Sequence, residues 1–305
     1  MAISRAQLAK ELEPGLNALF GLEYSRYDNQ HAEIYTTEAS DRAFEEEVML
    51  SGFASAPTKQ EGAGVVFDQA NEAFTARYTH ETIALAFAIT EEAIEDNLYD
   101  RLASRYTRAL ARSMSNTKQV KAAAVLNNAQ VTTVLGGDGV PLISNAHPLS
   151  NGGTFSNVLA TAADLNETSL EQSLIDIQGF VDERGLKIAL SGRKMIIPKE
   201  LQFTAERLMK STLRTGTADN DINAINNMGM VPEGYRVNNF LTDTDSFFLL
   251  TDVPNGFKHF ERSPIKTALE GDFDTGNVRF KARERYSFGF SDPRCIFGNG
   301  NLPTS

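Results

Sequence analysis

The sequence predicts an α+β fold, and three observations predict it. Apolar and polar residues alternate through Phe74–Ile89 and again through Val278–Phe290, the period of half-buried strands. Between them, Thr90 to Val134 contains no proline or glycine and carries apolar residues at helical spacing. From Glu167 to Leu250, amphipathic helices then alternate with short, wholly apolar strands.

The chain opens on an amphipathic stretch, Leu8, Leu12, Leu16, Leu19 and Phe20, followed by a polar run from Glu23 to Thr37. Residues 1–37 therefore read as an arm, helical only in part. Val48–Phe53 is β-prone. Ala54–Gly64 gathers small and polar residues around Pro57 and Lys59, the composition of a loop tip. The return is long. Phe74, Ala76, Tyr78 and His80 alternate with Thr75, Arg77, Thr79 and Glu81, and Ile83, Leu85, Phe87 and Ile89 continue against Ala84, Ala86 and Ala88. The register slips near Glu81 and Thr82, which predicts a bulge or a bend in a strand of about 15 residues, far above the usual 5–6. A hairpin over 38–89 that reaches away from its own domain accounts for that length.

Thr90 is a suitable N-cap, with Glu91, Glu92, Glu95 and Asp96 in the first turns, where negative charge suits the helix dipole. Ile94, Leu98, Leu102, Tyr106 and Ala109 keep helical spacing, and Arg101, Arg105, Arg108, Arg112, Lys118 and Lys121 follow. The segment 90–135 thus predicts a rod of about 35 residues, ~50 Å long at 1.5 Å per residue. Gly136-Gly-Asp-Gly139 ends it. The segment 136–261 reads as an α/β unit: an amphipathic helix over Glu167–Arg184, a buried strand Lys194–Ile197, a helix from Pro198 to Lys210, a short helix within Asn220–Gly234, and a second strand Phe247–Leu250. The tail, 262–305, returns as strands turned at Asp274-Thr275-Gly276-Asn277. Beyond that turn Val278, Phe280, Tyr286, Phe288 and Phe290 share one face, and Arg279, Lys281, Arg283 and Arg285 the other.

Composition narrows the function. The 305 residues carry 40 acidic against 29 basic side chains, a net charge of −11, which disfavours a dedicated nucleic-acid binder. Cys295 is the single cysteine, so no intrachain disulfide forms, in keeping with folding in a reducing cytoplasm. The opening residues lack the apolar core of a secretory signal, and the longest apolar run, Ile83–Ile89, is too short to span a bilayer. His31, His80, His147 and His259 show no metal-ligand spacing, and His147 before Pro148 reads as fixing a turn. Gly136–Gly139 lacks the Lys-Ser/Thr of a phosphate loop and the carboxylates of a calcium loop. Glu45, Glu46 and Glu47 alternate across a strand and do not converge. No catalytic residue, cofactor site or metal site is predicted.

The ordered set of arm, hairpin, rod, α/β unit and return strands resembles the Hong Kong 97-type fold of tailed-phage major capsid proteins, shared with encapsulins. Three stretches carry the likeness: the run from Phe74 to Asn128, beginning FTARYTHETIALAFAITEEAIEDNLYDRL; Asp138 to Pro148 followed by SNVLATAADLNETSLEQSL; and Lys194–Pro198 with the closing FDTGNVRFKARERYSFGFSDPR. No single motif is diagnostic. The resemblance implies an N-terminal arm, an E-loop hairpin, a peripheral (P) domain built on the rod and return strands, and an axial (A) domain. It implies a non-enzymatic subunit that assembles as hexamers and pentamers into an icosahedral virion shell around double-stranded DNA, without a membrane, in the host cytoplasm. Portal protein, a scaffolding protein, a maturation protease and a decoration or cement protein are the implied partners. With no charged coiled-coil segment ahead of the arm, a separate scaffolding protein is expected, removal of a fused one being the alternative. Arm and hairpin are expected to pack on neighbours, with Glu38, Asp41, Glu45, Glu46 and Glu47 bridging to Arg279, Lys281, Arg283 and Arg285; contact of that basic row with DNA is the alternative. Some members of the family crosslink a hairpin lysine to a neighbour's asparagine. By residue type, Lys59 with Asn299 or Asn301 would be the candidates. An encapsulin-like nanocompartment is the rival reading; a free-standing α/β enzyme would need a converging nucleophile and base, and none is seen.

Overall fold

The computed structural model describes residues 5–90, 92, 99–214, 221–272 and 276–300, the side chains of 5–13 and 99–102 aside. The expected first-turn residues Glu91, Ile94, Glu95, Asp96 and Leu98, and Asp274 and Thr275 of the tail turn, lie outside the described residues.

Two four-stranded sheets organise the molecule. The first contains β1 (Thr36–Ala39), β4 (Glu81–Ile89), β10 (Phe257–Gly271) and β11 (Val278–Phe290), in the order β1-β10-β11-β4. Helices α1 (Arg5–Tyr24) and α2 (Tyr99–Asn127) cover one face of it. The strict alternation of β11 explains this. Phe280, Ala282 and Tyr286 are buried on the helix side, where Phe280 and Ala282 join Leu16 and Phe20 of α1 and Leu110, Ala111 and Met114 of α2 in one cluster. The second sheet, β12-β9-β7-β8, unites β7 (Gly192–Ile197), β8 (Tyr235–Val237), β9 (Phe248–Thr251) and β12 (Ile296–Gly298). Around it pack α3 (Glu167–Gln178), α4 (Gln202–Lys210) and α5 (Ala224–Met228), through Leu170, Leu174, Ile177, Ala205, Leu208 and Ile225. A capping box, in which Asn166 accepts from the Ser169 N–H and Ser169 from the Asn166 N–H, starts α3. The hairpin strands β2 (Phe44–Leu50) and β3 (Glu72–Thr79) form a separate two-stranded ribbon, and β5 (His147–Pro148) pairs β6 (Thr154–Phe155).

The helix expected over Glu167–Arg184 stops at Gln178, where Gly179 caps it, and four larger expectations change. The single strand from Phe74 to Ile89 is two strands parted at His80: β3 pairs with β2, whereas β4 pairs with β11. The break marks a change of partner sheet. The rod ends at Asn127, short of Val134, because the Asn127 side chain turns to donate to Phe240 O (3.1 Å) and accept from Thr242 N–H (3.1 Å). The β-branched Val131, Thr132 and Thr133 that follow favour helix weakly. The return begins at Phe257 rather than Pro264; Pro264, which has no N–H to donate, sits between register shifts of β10. Finally, the last strand leaves the return strands: β12 pairs antiparallel with β9 in the α/β sheet, so 296–298 belong to that core.

Candidate functional site

Side-chain parity on β10 and β11 divides the first sheet into a helix side and an open side. His259, Tyr286 and Phe288 point to the helices, as their ring contacts with one another and with His31 show. Lys258, Phe260, Ser287 and Gly289 therefore point to the opposite side, and there the base of the hairpin sits. Tyr78 of β3 stacks edge-on against Phe260 at 4.8 Å and lies over Gly289, where an added Cβ would come within 2.7 Å of the ring. Glu47 of β2 bonds Lys258 and Ser291, and Lys258 also reaches Glu38 at 2.9 Å.

Three further ties hold this base. At the strand break, the His80 ring lies between Ser40 Oγ (2.9 Å) and Ser287 Oγ (3.0 Å), and Ser40 donates to Glu45 (2.7 Å). Burial, then the nearby Arg285 charge, hold the His80 pKa below its ordinary value. Gly137 passes directly under β3; a Cβ there would meet Thr75 O at 2.7 Å, so only glycine fits. The turn around it is locked by Asp138, 2.6 Å from His147 Nδ1, with His147 Nε2 3.1 Å from Asn157 Oδ1 and the ring stacked on Phe155. His147 thus fixes its turn, as the sequence predicts. Arg294, almost wholly buried, donates to Glu183 (2.6 Å) and Val181 O (2.7 Å), lies 4.5 Å above the Phe155 ring and touches Met49 of β2.

Beyond these ties residues 53–72 are all exposed. Asp68 closes the loop by accepting from Ala54 N–H (2.7 Å) and pairing with Arg184 (3.2 Å); those backbone donors, first of all Ala54, hold its carboxyl below the usual range. Yet Phe53, Val65 and Val66 are 61–70% exposed and Phe67 is 95% exposed. This apolar group was missed in the sequence, although Val65-Val66-Phe67 stands out as an unalternated trio after two glycines. Lys59 is exposed on the same loop, with no ion pair among the described residues.

The other predicted contact residues separate. Glu45, Glu46 and Glu47 alternate as expected, but each has a partner in its own chain: Ser40, Arg77 (3.8 Å) and Lys258. Arg279, Lys281 and Arg283 form an exposed row on the open side, with Arg285 half-buried at its end. The row runs beside Ala88, Ala86 and Ala84 of β4, all exposed, and Arg279 pairs with Asp272. Asn299 cannot take the crosslinking role expected from its type: it is fully buried, donates to Ala163 O and Asp245 O, and accepts from Phe247 N–H. Asn301 lies outside the described residues. Among the described residues no group of three His, Cys, Asp or Glu could hold a metal, and no helix is long and apolar enough to cross a membrane.

The family described as "Phage capsid protein" matches residues 73–299. No curated protein matches the sequence. Among solved structures, the capsid of an empty GTA particle is similar over 90% of this chain and 89% of its own, at 12% identity and a TM-score of 0.55. The structure titled Microbacterium phage Oxtober96 is similar over 92% of both chains, at 10% identity and a TM-score of 0.55. A virus-like particle from Pyrococcus furiosus is similar over 94% of this chain and 98% of its own, at 10% identity and a TM-score of 0.50.

Proposed function

Because this chain belongs to the phage capsid protein family, its role is structural, and we propose that it builds an icosahedral head of the Hong Kong 97 type from hexamers and pentamers. The observation that carries this reading is the hairpin, bolted to its own sheet at the base and bare and apolar at the tip. A monomer gains nothing by exposing Phe67 almost completely; a second copy covering it would remove that surface from water, at about 25 cal/mol per Å².

In this reading β2 and β3 with the loop between them are the E-loop. The helix-covered sheet is the P-domain, and the α/β sheet, including β12, is the A-domain. The open side of the P-domain sheet receives the neighbour's hairpin, and its row Arg279, Lys281, Arg283 and Arg285 meets acidic side chains there. Because Glu38 and Glu47 are already bound to Lys258, the carboxylates left for such a contact include Asp41, Glu61 and Glu72, all exposed. Double-stranded DNA fills the shell, which forms in the host cytoplasm with scaffolding and portal proteins. The nanocompartment alternative draws on the likeness to the virus-like particle alone, whereas the matching family is one of phage capsids.

Deletion of Ala54–Gly64 tests the proposal. Electron microscopy of the expressed protein should show no closed shells, while circular dichroism shows a folded subunit. Normal shells from the deletion would overturn the interlocking reading.

A further inference from the structure

Cations on α2 fall into two groups. Lys118 and Lys121 face the sheet: Lys118 sits 3.7 Å from the buried Glu284 and 3.9 Å from Glu261, and Lys121 pairs with Glu81. These pairs use up the carboxylates on the helix side of the sheet. Arg105, Arg108 and Arg112 lie on the other face of the helix, exposed, at spacings of three and four residues, so they form one stripe with rises of ~4.5 and ~6 Å. Arg101 continues the spacing in sequence. No acidic residue occurs from Arg101 to Asn127, in a chain whose net charge is −11. Among the described residues neither Arg105 nor Arg108 has an ion pair, and Arg112 donates to Tyr27 Oη (2.9 Å) and lies 5.7 Å over its ring, with no carboxylate partner of its own.

We propose that this arginine stripe is a docking surface for the phosphate backbone of double-stranded DNA. It rests on the reading that the shell encloses DNA, and adds which side of the subunit meets it. The stripe lies on the side of the sheet opposite the hairpin, so the surface that engages neighbouring copies and the surface that meets the polyanion are different faces of one wall. A chain this acidic repels DNA overall, so contact needs a local run of cations free of carboxylates, which α2 supplies. Of the aromatic side chains described beside the stripe, Tyr106 is turned onto Phe87 (5.8 Å) and Tyr27 is taken up by Arg112 (5.7 Å), so the stripe offers a run of charge rather than a row of rings for stacking unpaired bases. Duplex phosphates, at one charge per ~1.7 Å of axis, fit a rigid stripe without sequence readout.

The test uses the full-length protein and a labelled 20-bp duplex, with binding followed by fluorescence anisotropy from low to moderate salt. Arg105→Glu/Arg108→Glu should weaken binding at least tenfold at low salt and reduce the slope of log K against log salt by ~1.8, as ~0.9 is lost per phosphate contact. Arg105→Gln/Arg108→Gln should reduce it comparably with less risk to folding. Lys199→Glu/Lys210→Glu, with the same change in charge just before and at the end of α4, should alter affinity less than threefold. An unchanged slope in both stripe variants overturns the proposal, as does loss of the slope in Lys281→Glu/Arg283→Glu instead, which would make the open side the polyanion surface. Retained DNA binding with loss of an acidic scaffold peptide would also overturn it. Shells are scored separately by microscopy of the protein expressed with its neighbouring genes: failure of the wild-type protein to form them refutes the container reading, whereas unchanged salt slopes with normal shells refute the stripe alone.

Discussion

The α/β core and the hairpin tip handle the same residue type in opposite ways. Phe247 and Phe297 are completely buried among Leu170, Met195 and Leu249, while Phe67 is 95% exposed. The first region is finished within one chain; the second is finished only by something outside it. Exposed apolar side chains occur elsewhere too, Phe203 at 75% and Met228 at 67%, but the hairpin loop gathers Phe53, Val65, Val66 and Phe67 above a base that carries a close-packed tyrosine, the Lys258–Glu47 ion pair and a glycine chosen for clearance. A firm base under a bare tip holds an apolar patch at a fixed place without the subunit having to fold around it.

Substitutions at the two ends should separate these regions. Phe247→Ala in the core should cost ~3–5 kcal/mol of subunit stability in urea unfolding, since transfer and cavity terms add; a loss below ~1 kcal/mol would mean the core is not the finished unit described. Gly137→Ala tests the base. Its Cβ must push β3 backbone at Thr75, so a loss of ~1–3 kcal/mol is expected, together with altered hairpin placement and misformed shells.

Acid should loosen the helix-covered sheet. Burial pushes His31 down to about 4 and His259 down to about 3, below the ordinary value near 6.5. Below pH ~6.5 the unfolded chain takes up protons that the folded chain refuses, so stability falls as pH drops from 6.5 towards 4 and then 3. Glu284, whose pKa burial raises, opposes this trend. The urea midpoint should therefore be lower at pH 5 than at pH 7, and His31→Gln should flatten the dependence; an unchanged slope would deny that His31 is held neutral. Phe67→Ala should have the smallest effect on the subunit, within ~0.5 kcal/mol, yet should reduce or abolish shells. A large loss of subunit stability would show that the tip is covered by its own chain.

Periodicity alone determined much of this molecule: the alternation of β11, the helix bearing Arg105 to Lys121, and the short apolar strands Met195–Ile197 and Phe248–Leu250. Each follows from which face a residue takes at a period of 2 or 3.6, a local property that needs no knowledge of the partner. The basic row was legible for the same reason, and the turn-fixing role of His147 was legible from the proline that follows it. Only the tertiary structure decided that the ribbon changes sheets at His80, that β12 closes the α/β core, that Glu38 and Glu47 are consumed by Lys258, and that Asn299 is buried. These depend on contacts between residues up to hundreds of positions apart, and a strand's sequence records that it will pair and which face is apolar, but not with whom. Exposure of Phe67 belongs to the same class, since nothing in a run of apolar residues says whether its cover lies within the chain or on another molecule.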